Sequence, residues 1–194
     1  MPEDSDELTR VVSGVHVPAR GTYKIDPVHT FVRFGAQHLV VGRVRGRLVN
    51  VAGTIVVGES PIDLTLDVEI DPASVTTLND VRDADLRSPR FLDVATFPKM
   101  TYRSKSATVS PQNRWLIAGE LRLRNIARIV QLEAALGGVI VDSQGMARVG
   151  YHATGSLTRT DFGLTTDLEK ETGGIAVSED VVISIDVEAT RSLT

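Results

Sequence analysis

The chain of 194 residues contains no cysteine. Disulfide staples, thiolate zinc sites, iron–sulfur ligation and cysteine nucleophiles are therefore excluded. Aromatic residues make up only 5%, so few large side chains exist to fill a wide interior. Lysine is scarce too, with 4 Lys against 17 Arg among the 21 cationic residues. No run of about 18 apolar residues occurs, which leaves no candidate transmembrane helix. The formal net charge is −4, the wrong sign for a protein that would bind nucleic acid by neutralising phosphates. The first ten residues, MPEDSDELTR, have neither the positive start nor the apolar run of a secretory signal, and the expectation is a cytoplasmic protein.

What is present is the composition of one globular domain, 42% hydrophobic and 24% charged, with no linker and no repeat. Residues 1–20 read as an N-terminal arm, free to be flexible and with room for a short strand or helix at Val11–Val17. Residues 21–194 read as a single β domain. In Leu64-Thr65-Leu66-Asp67-Val68-Glu69-Ile70-Asp71 apolar and polar residues alternate strictly, which turns one face of a strand to a core and the other to water. The same period recurs in Trp115–Arg124, in Ile183–Glu188 and at Val130, Leu132, Ala134 and Leu136. Turn signals separate the runs at 58–61, 110–113, 142–145 and 172–174, and Gly137-Gly138 also reads as a turn. Between Thr22 and Ala189 the pattern predicts eight to ten antiparallel strands, hence a barrel or sandwich. One segment breaks the alternation. Leu78–Ser88 carries Asn or Asp cap candidates at its start and ends at Ser88-Pro89, so it reads as a short helix, followed by a second turn over Arg90–Val94.

Several inward positions are small: Gly119 between Ile117 and Leu121, Ala134 between Leu132 and Leu136, and Ala153 and Gly155 between Tyr151 and Leu157. Either they leave space for a ligand along a barrel axis, or they admit a neighbouring element pressed close. The histidines (His16, His29, His38, His152) show no metal-ligand spacing, and no metal is expected. His29 and His38 flank the first long strand, as hydrogen-bonded structural groups or as polar contacts to a ligand head group. Asp80, Asp83, Asp85 and Asp93 form an acidic set that helix capping explains at least as well as a cation does. Arg82 and Arg87 suit either structural carboxylates (Asp83, Asp93, Asp161) or a phosphate. Arg43, Arg45 and Arg47 share one face of a strand, as a strip for an anionic membrane surface or as an ordinary solvated face. No nucleophile elbow or phosphate loop occurs.

The segments Tyr23–Phe34 with Gln37-His38-Leu39, Val81–Ser88 running into Phe91–Val94 and Phe97-Pro98, Gly119–Leu123 and Arg159–Leu164 together resemble the YceI-like family, in order, over about residues 22–190. The resemblance implies an all-β, lipocalin-like extended antiparallel barrel of about eight strands, with a short helical insert near 78–94. It implies a long isoprenoid as ligand, of the polyprenyl phosphate or quinone type, and a homodimer; peripheral membrane contact is expected only through the arginine strip. The family usually has His where Asp85 stands, so no role is carried over to that side chain. The expected walls are Phe34, Leu39, Leu64, Leu66, Val68, Ile117, Leu121, Leu132 and Ile183, with Gly119, Ala134, Ala153 and Gly155 giving space. His38, Arg82 and Arg87 are the candidate head-group contacts. The leading expectation is a non-catalytic carrier or sequestering protein without a cofactor beyond the lipid. The alternatives are an enzyme of isomerase or cyclase type working through His38 or Asp161, and a filled barrel acting as an interaction module.

Overall fold

The computed structural model describes residues 8–38, 41–110, 112–165 and 177–193. Two short strands, β1 (Thr9–Val12) and β2 (Val15–Pro18), form a hairpin of their own. The turn between them takes both Ser13 and Gly14 into positive φ, the geometry that matches the twist of a tight hairpin. Val15 and Val17 are buried against Ala107 and Trp115. Arg10 donates to the carbonyls of Gly58 and Glu59, which fixes the hairpin over one end of the main sheet.

Eleven further strands make up that sheet among the described residues. They are β3 (Gly21–Ile25), β4 (Phe31–His38), β5 (Gly42–Leu48), β6 (Val51–Val57), β7 (Leu64–Ile70), β8 (Val75–Thr76), β9 (Met100–Val109), β10 (Arg114–Leu123), β11 (Ile126–Val141), β12 (Ala147–Thr158) and β13 (Val177–Arg191). Eight of them close on themselves in the order β12-β11-β10-β9-β7-β6-β3-β13, with β13 pairing back to β12. The expected eight-stranded antiparallel barrel is therefore what forms, and closure removes the free edges that an open sheet would expose. On its side away from β12, the strand β13 has two partners: its C-terminal end pairs with β3 at Ala189 and Thr190, and its earlier part pairs with β4 from Val177 to Asp186. From β4 the sheet continues through β5 to β8. At the branch, buried Thr30 donates through Oγ1 to the Glu188 carbonyl and accepts from the Glu188 amide.

The one α-helix among the described residues, α1 (Asp80–Arg87), follows β8. Asn79 caps it by accepting from Arg82 N at 3.0 Å, and Ser88 ends it. Asp80 and Asp83 sit in its first turn, where the helix dipole favours acids. Gly137-Gly138 is not a turn. It lies inside β11, where the register against β12 shifts between Leu136 and Gly138, so the glycines mark a bulge in a 16-residue strand. The turn expected at 172–174 and the wall residue expected at Leu39 lie outside the described residues.

Candidate ligand-binding site

Alternation along each strand sends one row of side chains into the barrel, and the rows do not meet. They enclose a cavity of about 330 Å³, within the range of small-molecule sites. From β7 come Leu64, Leu66 and Val68; from β10 and β11 come Ile117, Leu121, Leu132 and Ala134; from β12 and β13 come Ala153 and Ile183; from β4 comes Phe34. All but Ala134 and Ala153 were expected as wall residues, and those two were expected to give space. The aromatics separate into two groups: Phe34, Phe91, Tyr102, Trp115 and Tyr151 face the cavity, whereas Phe162 is core and Phe31 lies on the outer face under Arg33 and Arg47.

Two of the small residues do not give the space expected of them. Gly119 and Gly155 are absent from the cavity wall. A Cβ at Gly119 would overlap the ring of Tyr102, which lies across the strand there. The Tyr102 hydroxyl sits 3.1 Å from the Val130 carbonyl and 3.3 Å from that of Ile117, and burial pushes its pKa up. A Cβ at Gly155 would overlap the Gln131 carbonyl and the Leu132 side chain. Both glycines admit a neighbour, the alternative reading of a small residue in a strand. Ala134 and Ala153 do line the cavity.

Polar groups reach the cavity mainly at one end, where α1 and the segment after it meet β4 and β5. Arg82 and Asp85 of α1 line it there and are partly exposed, so at this end the wall itself meets solvent. Arg82 donates through Nε to Thr77 Oγ1 (2.7 Å) and through Nη2 to Thr77 O (3.1 Å). Asp85 lies 3.5 Å from Arg90. Two expected head-group contacts are not on the wall. Arg87 donates instead to the carbonyls of Ala73 and Val75 and ties α1 to β8, and His38 ends β4 beside Gly42 and Val177. The carboxylate partners expected for Arg82 and Arg87 are thus replaced by Thr77 and by backbone carbonyls. Asp83 is the buried acid of α1. Burial pushes its pKa up, but hydrogen bonds from Thr77 N and Oγ1 outweigh this and hold it below the usual carboxylate range.

Sequence reasoning passed over Arg159 as a wall residue. It is 7% exposed and lines the cavity. Its guanidinium donates to the carbonyls of Ser178, Leu164 and Val177, which is how a buried cation on an apolar wall is tolerated. Asp161, two residues on, is exposed and lies outside the cavity. On the outer face, Asp26, His29 and Glu188 bring potential ligand atoms within 4.8 Å of one another. Arg148 already lies 2.7 Å from both Asp26 and Glu188 and 3.3 Å from Asp142. A cation would have to displace that guanidinium, so the group is an ion-pair network.

The model of the YceI-like domain matches residues 23–189. The Salmonella newport protein YceI is 37% identical over 173 residues, covering 87% of this chain and 86% of that one. Among solved structures, the Campylobacter jejuni YCEI protein aligns at a TM-score of 0.65 and 26% identity, over 80% of this chain and 90% of that one. Two more distant relatives share the fold. BcnA of Burkholderia cenocepacia has a TM-score of 0.73 at 17% identity, covering 86% of this chain and 99% of its own. A polyisoprenoid-binding domain from Saccharophagus degradans has a TM-score of 0.65 at 17% identity, over 87% and 97%. The β1–β2 hairpin precedes the matched region; from Tyr23 to Ala189 the chain belongs to the YceI-like family.

Proposed function

We propose that the protein binds a long isoprenoid lipid, of the polyprenyl phosphate or isoprenoid quinone type, inside the barrel and carries or sequesters it without chemical change. One observation carries this reading: the cavity is about 330 Å³ and its wall is aliphatic and aromatic along nearly its whole length. Each buried CH₂ contributes about 0.8 kcal/mol, against association costs of about 4–15 kcal/mol. A single five-carbon unit is therefore too little and several are enough, so such a wall selects by length and width. Arg82, which lines the cavity and is partly exposed, is the group that would meet a polar head. The polyisoprenoid-binding domain of Saccharophagus degradans, similar in fold, supports the same ligand class. The non-catalytic part of the reading is supported by His38 and Asp161, which stand outside the wall.

Native mass spectrometry of protein purified without detergent tests the proposal. An isoprenoid adduct, or uptake of added polyprenol, is expected. A carboxylate in the wall costs several kcal/mol to desolvate, so Ile183→Asp is expected to abolish uptake. Ala134→Trp, which fills space without charge, is expected to shorten the longest chain accepted. Lipid-free protein that takes up no polyprenol, or uptake indifferent to Ala134→Trp, refutes the reading.

A further inference from the structure

Val41, Leu78 and Val81 are 91%, 89% and 83% exposed, the three most exposed large hydrophobic side chains among the described residues. Single apolar side chains on a surface need no explanation, but a group of them does. Leu78 and Val81 flank the start of α1, whose Arg82 and Asp85 line the cavity, and Val41 lies at the β4–β5 turn. Val41 leads into β5. Thr76 pairs with Arg47 in antiparallel register, so the chain leaving β8 runs back along β5, with Thr77 packed at Gly46 and Leu78 level with Arg45. Val81 stands in the first turn of α1, one residue before the cavity-lining Arg82.

Leu78 is held there against its own preference. Its φ is +59°, a left-handed conformation ordinarily left to Gly or Asn. Folding stability alone gives no reason to strain a backbone and place a leucine in water, and strain of this kind collects at functional sites.

The neighbouring outer face is cationic. Arg43, Arg45 and Arg47 are all exposed on β5, with Arg33 across from Arg47 on β4. Arg33 is paired with Asp186, and Arg47 lies 6.0 Å from the centre of the Phe31 ring. Arg43 and Arg45 have no acidic partner among the described residues. Acids are also present on neighbouring elements: Asp80 and Asp85 on α1, and Glu179 and Asp180 near the start of β13. Among the described residues the cations on β5 with neither an acidic partner nor a ring beside them are therefore Arg43 and Arg45, with Leu78 level with Arg45 and Val41 two residues before Arg43.

We propose that this end of the barrel docks on an anionic lipid surface. Val41, Leu78 and Val81 enter the headgroup region, Arg43 and Arg45 face the lipid phosphates, and the α1 end of the cavity turns toward the bilayer. Apolar insertion and charge neutralisation are the two contributions that hold a protein at such an interface. The purpose of docking rests on the tunnel reading above, since a long hydrocarbon would otherwise have to cross water, but docking itself needs no cargo.

The test is co-sedimentation of the full chain with vesicles free of isoprenoid, made either of phosphatidylcholine alone or of phosphatidylcholine with phosphatidylglycerol. The wild type is expected to bind only the anionic vesicles and to lose binding at high salt, where surface charges are screened. Arg43→Gln with Arg45→Gln should weaken binding about 25-fold, taking about fivefold per charge. Leu78→Asn suits the left-handed backbone, so it should keep or raise the Tm while weakening vesicle binding about tenfold. Absence of wild-type binding to anionic vesicles, or wild-type binding by these variants, overturns the proposal. So does a dimer in solution that Leu78→Asn dissociates, because a second copy then covers the patch. Lost docking with retained polyprenol uptake sinks this inference alone, and docking without uptake sinks the tunnel reading alone.

Discussion

Gly119 shows how a single missing Cβ shapes the barrel. Its neighbour Tyr102 lies flat across β10 and places its hydroxyl against backbone carbonyls of β10 and β11. The glycine thus lets a large ring lie over β10 on the cavity side, where a ring over a strand glycine also restores the packing that the glycine lacks. Gly119→Ala forces the ring away, leaving the Tyr102 hydroxyl without its partners in a buried setting, at a cost of about 1–3 kcal/mol. A Tm drop of about 2–4 °C per kcal/mol is then expected for a chain of this size. If Tyr102→Phe is made first, the hydroxyl is already gone and a second substitution at Gly119 should cost less, a coupling that a double-mutant cycle reads directly. A Gly119→Ala protein as stable as the wild type would mean that the ring is free to move. Read along one strand, Gly119 looked the same whether it made space or admitted a neighbour. Only the partner strand, set 17 residues earlier in the chain at Tyr102, decides between them.

At the scale of elements, period-two alternation identified the wall because it reports which face of a strand is buried. The walls from Leu64 to Val68 and from Ile117 to Leu121 were legible for that reason. Alternation says nothing about which strand lies alongside, so the two partners of β13 were not legible, nor was the extension through β5 to β8. The helix was readable from its Asn79 cap and from the break in the pattern. Its anchoring was not, because Arg87 binds backbone carbonyls, which leave no mark in a sequence. Arg159 was hidden for the same reason. Asp83 is the second anchor of α1 and accepts from both the amide and the hydroxyl of Thr77. Because Thr77 also receives Arg82, one acid holds the cap, the helix and a cavity residue in place. Asp83→Ala removes charge-assisted bonds worth about 1.5–3 kcal/mol each, net of exchange with water. The expected outcome is faster amide exchange confined to residues 77–88, with the barrel strands unchanged. Exchange that rises equally in β10 and β11 would show that α1 and the barrel unfold as one unit.

At the scale of the whole molecule, closure depends on the place where β3 and β4 part, since no strand there bridges β13 continuously. The ion-pair network on the outer face spans that gap. Arg148 of β12 reaches Asp26 from the loop after β3, Glu188 of β13 and Asp142 from the turn before β12, while His29 reaches Asp26 at 2.9 Å. The Arg148 guanidinium, then His29, hold the Asp26 carboxyl well below the usual carboxylate range. Asp142 is also lowered, by the Met146 amide first and by Arg148 among the smaller contributions. A carboxyl lowered in the folded state stabilises the fold at any pH above its unfolded value of about 3.9, and this stabilisation is lost as pH falls through the folded value. The network should therefore be intact at neutral pH and fail only in strong acid. Two substitutions separate it from general acid unfolding. Arg148→Met leaves three carboxylates facing one another and should cost about 1–3 kcal/mol at pH 7, with the loss shrinking as pH falls below about 4 and the carboxyls are protonated. Asp26→Asn should likewise lie below the wild type in Tm at pH 7 and converge with it toward pH 2. Thermal unfolding measured across that range decides the matter. A constant gap between wild type and Asp26→Asn from neutral to strongly acid pH would mean that the charge on Asp26 contributes nothing, and that the branch is held by Thr30 and the backbone alone.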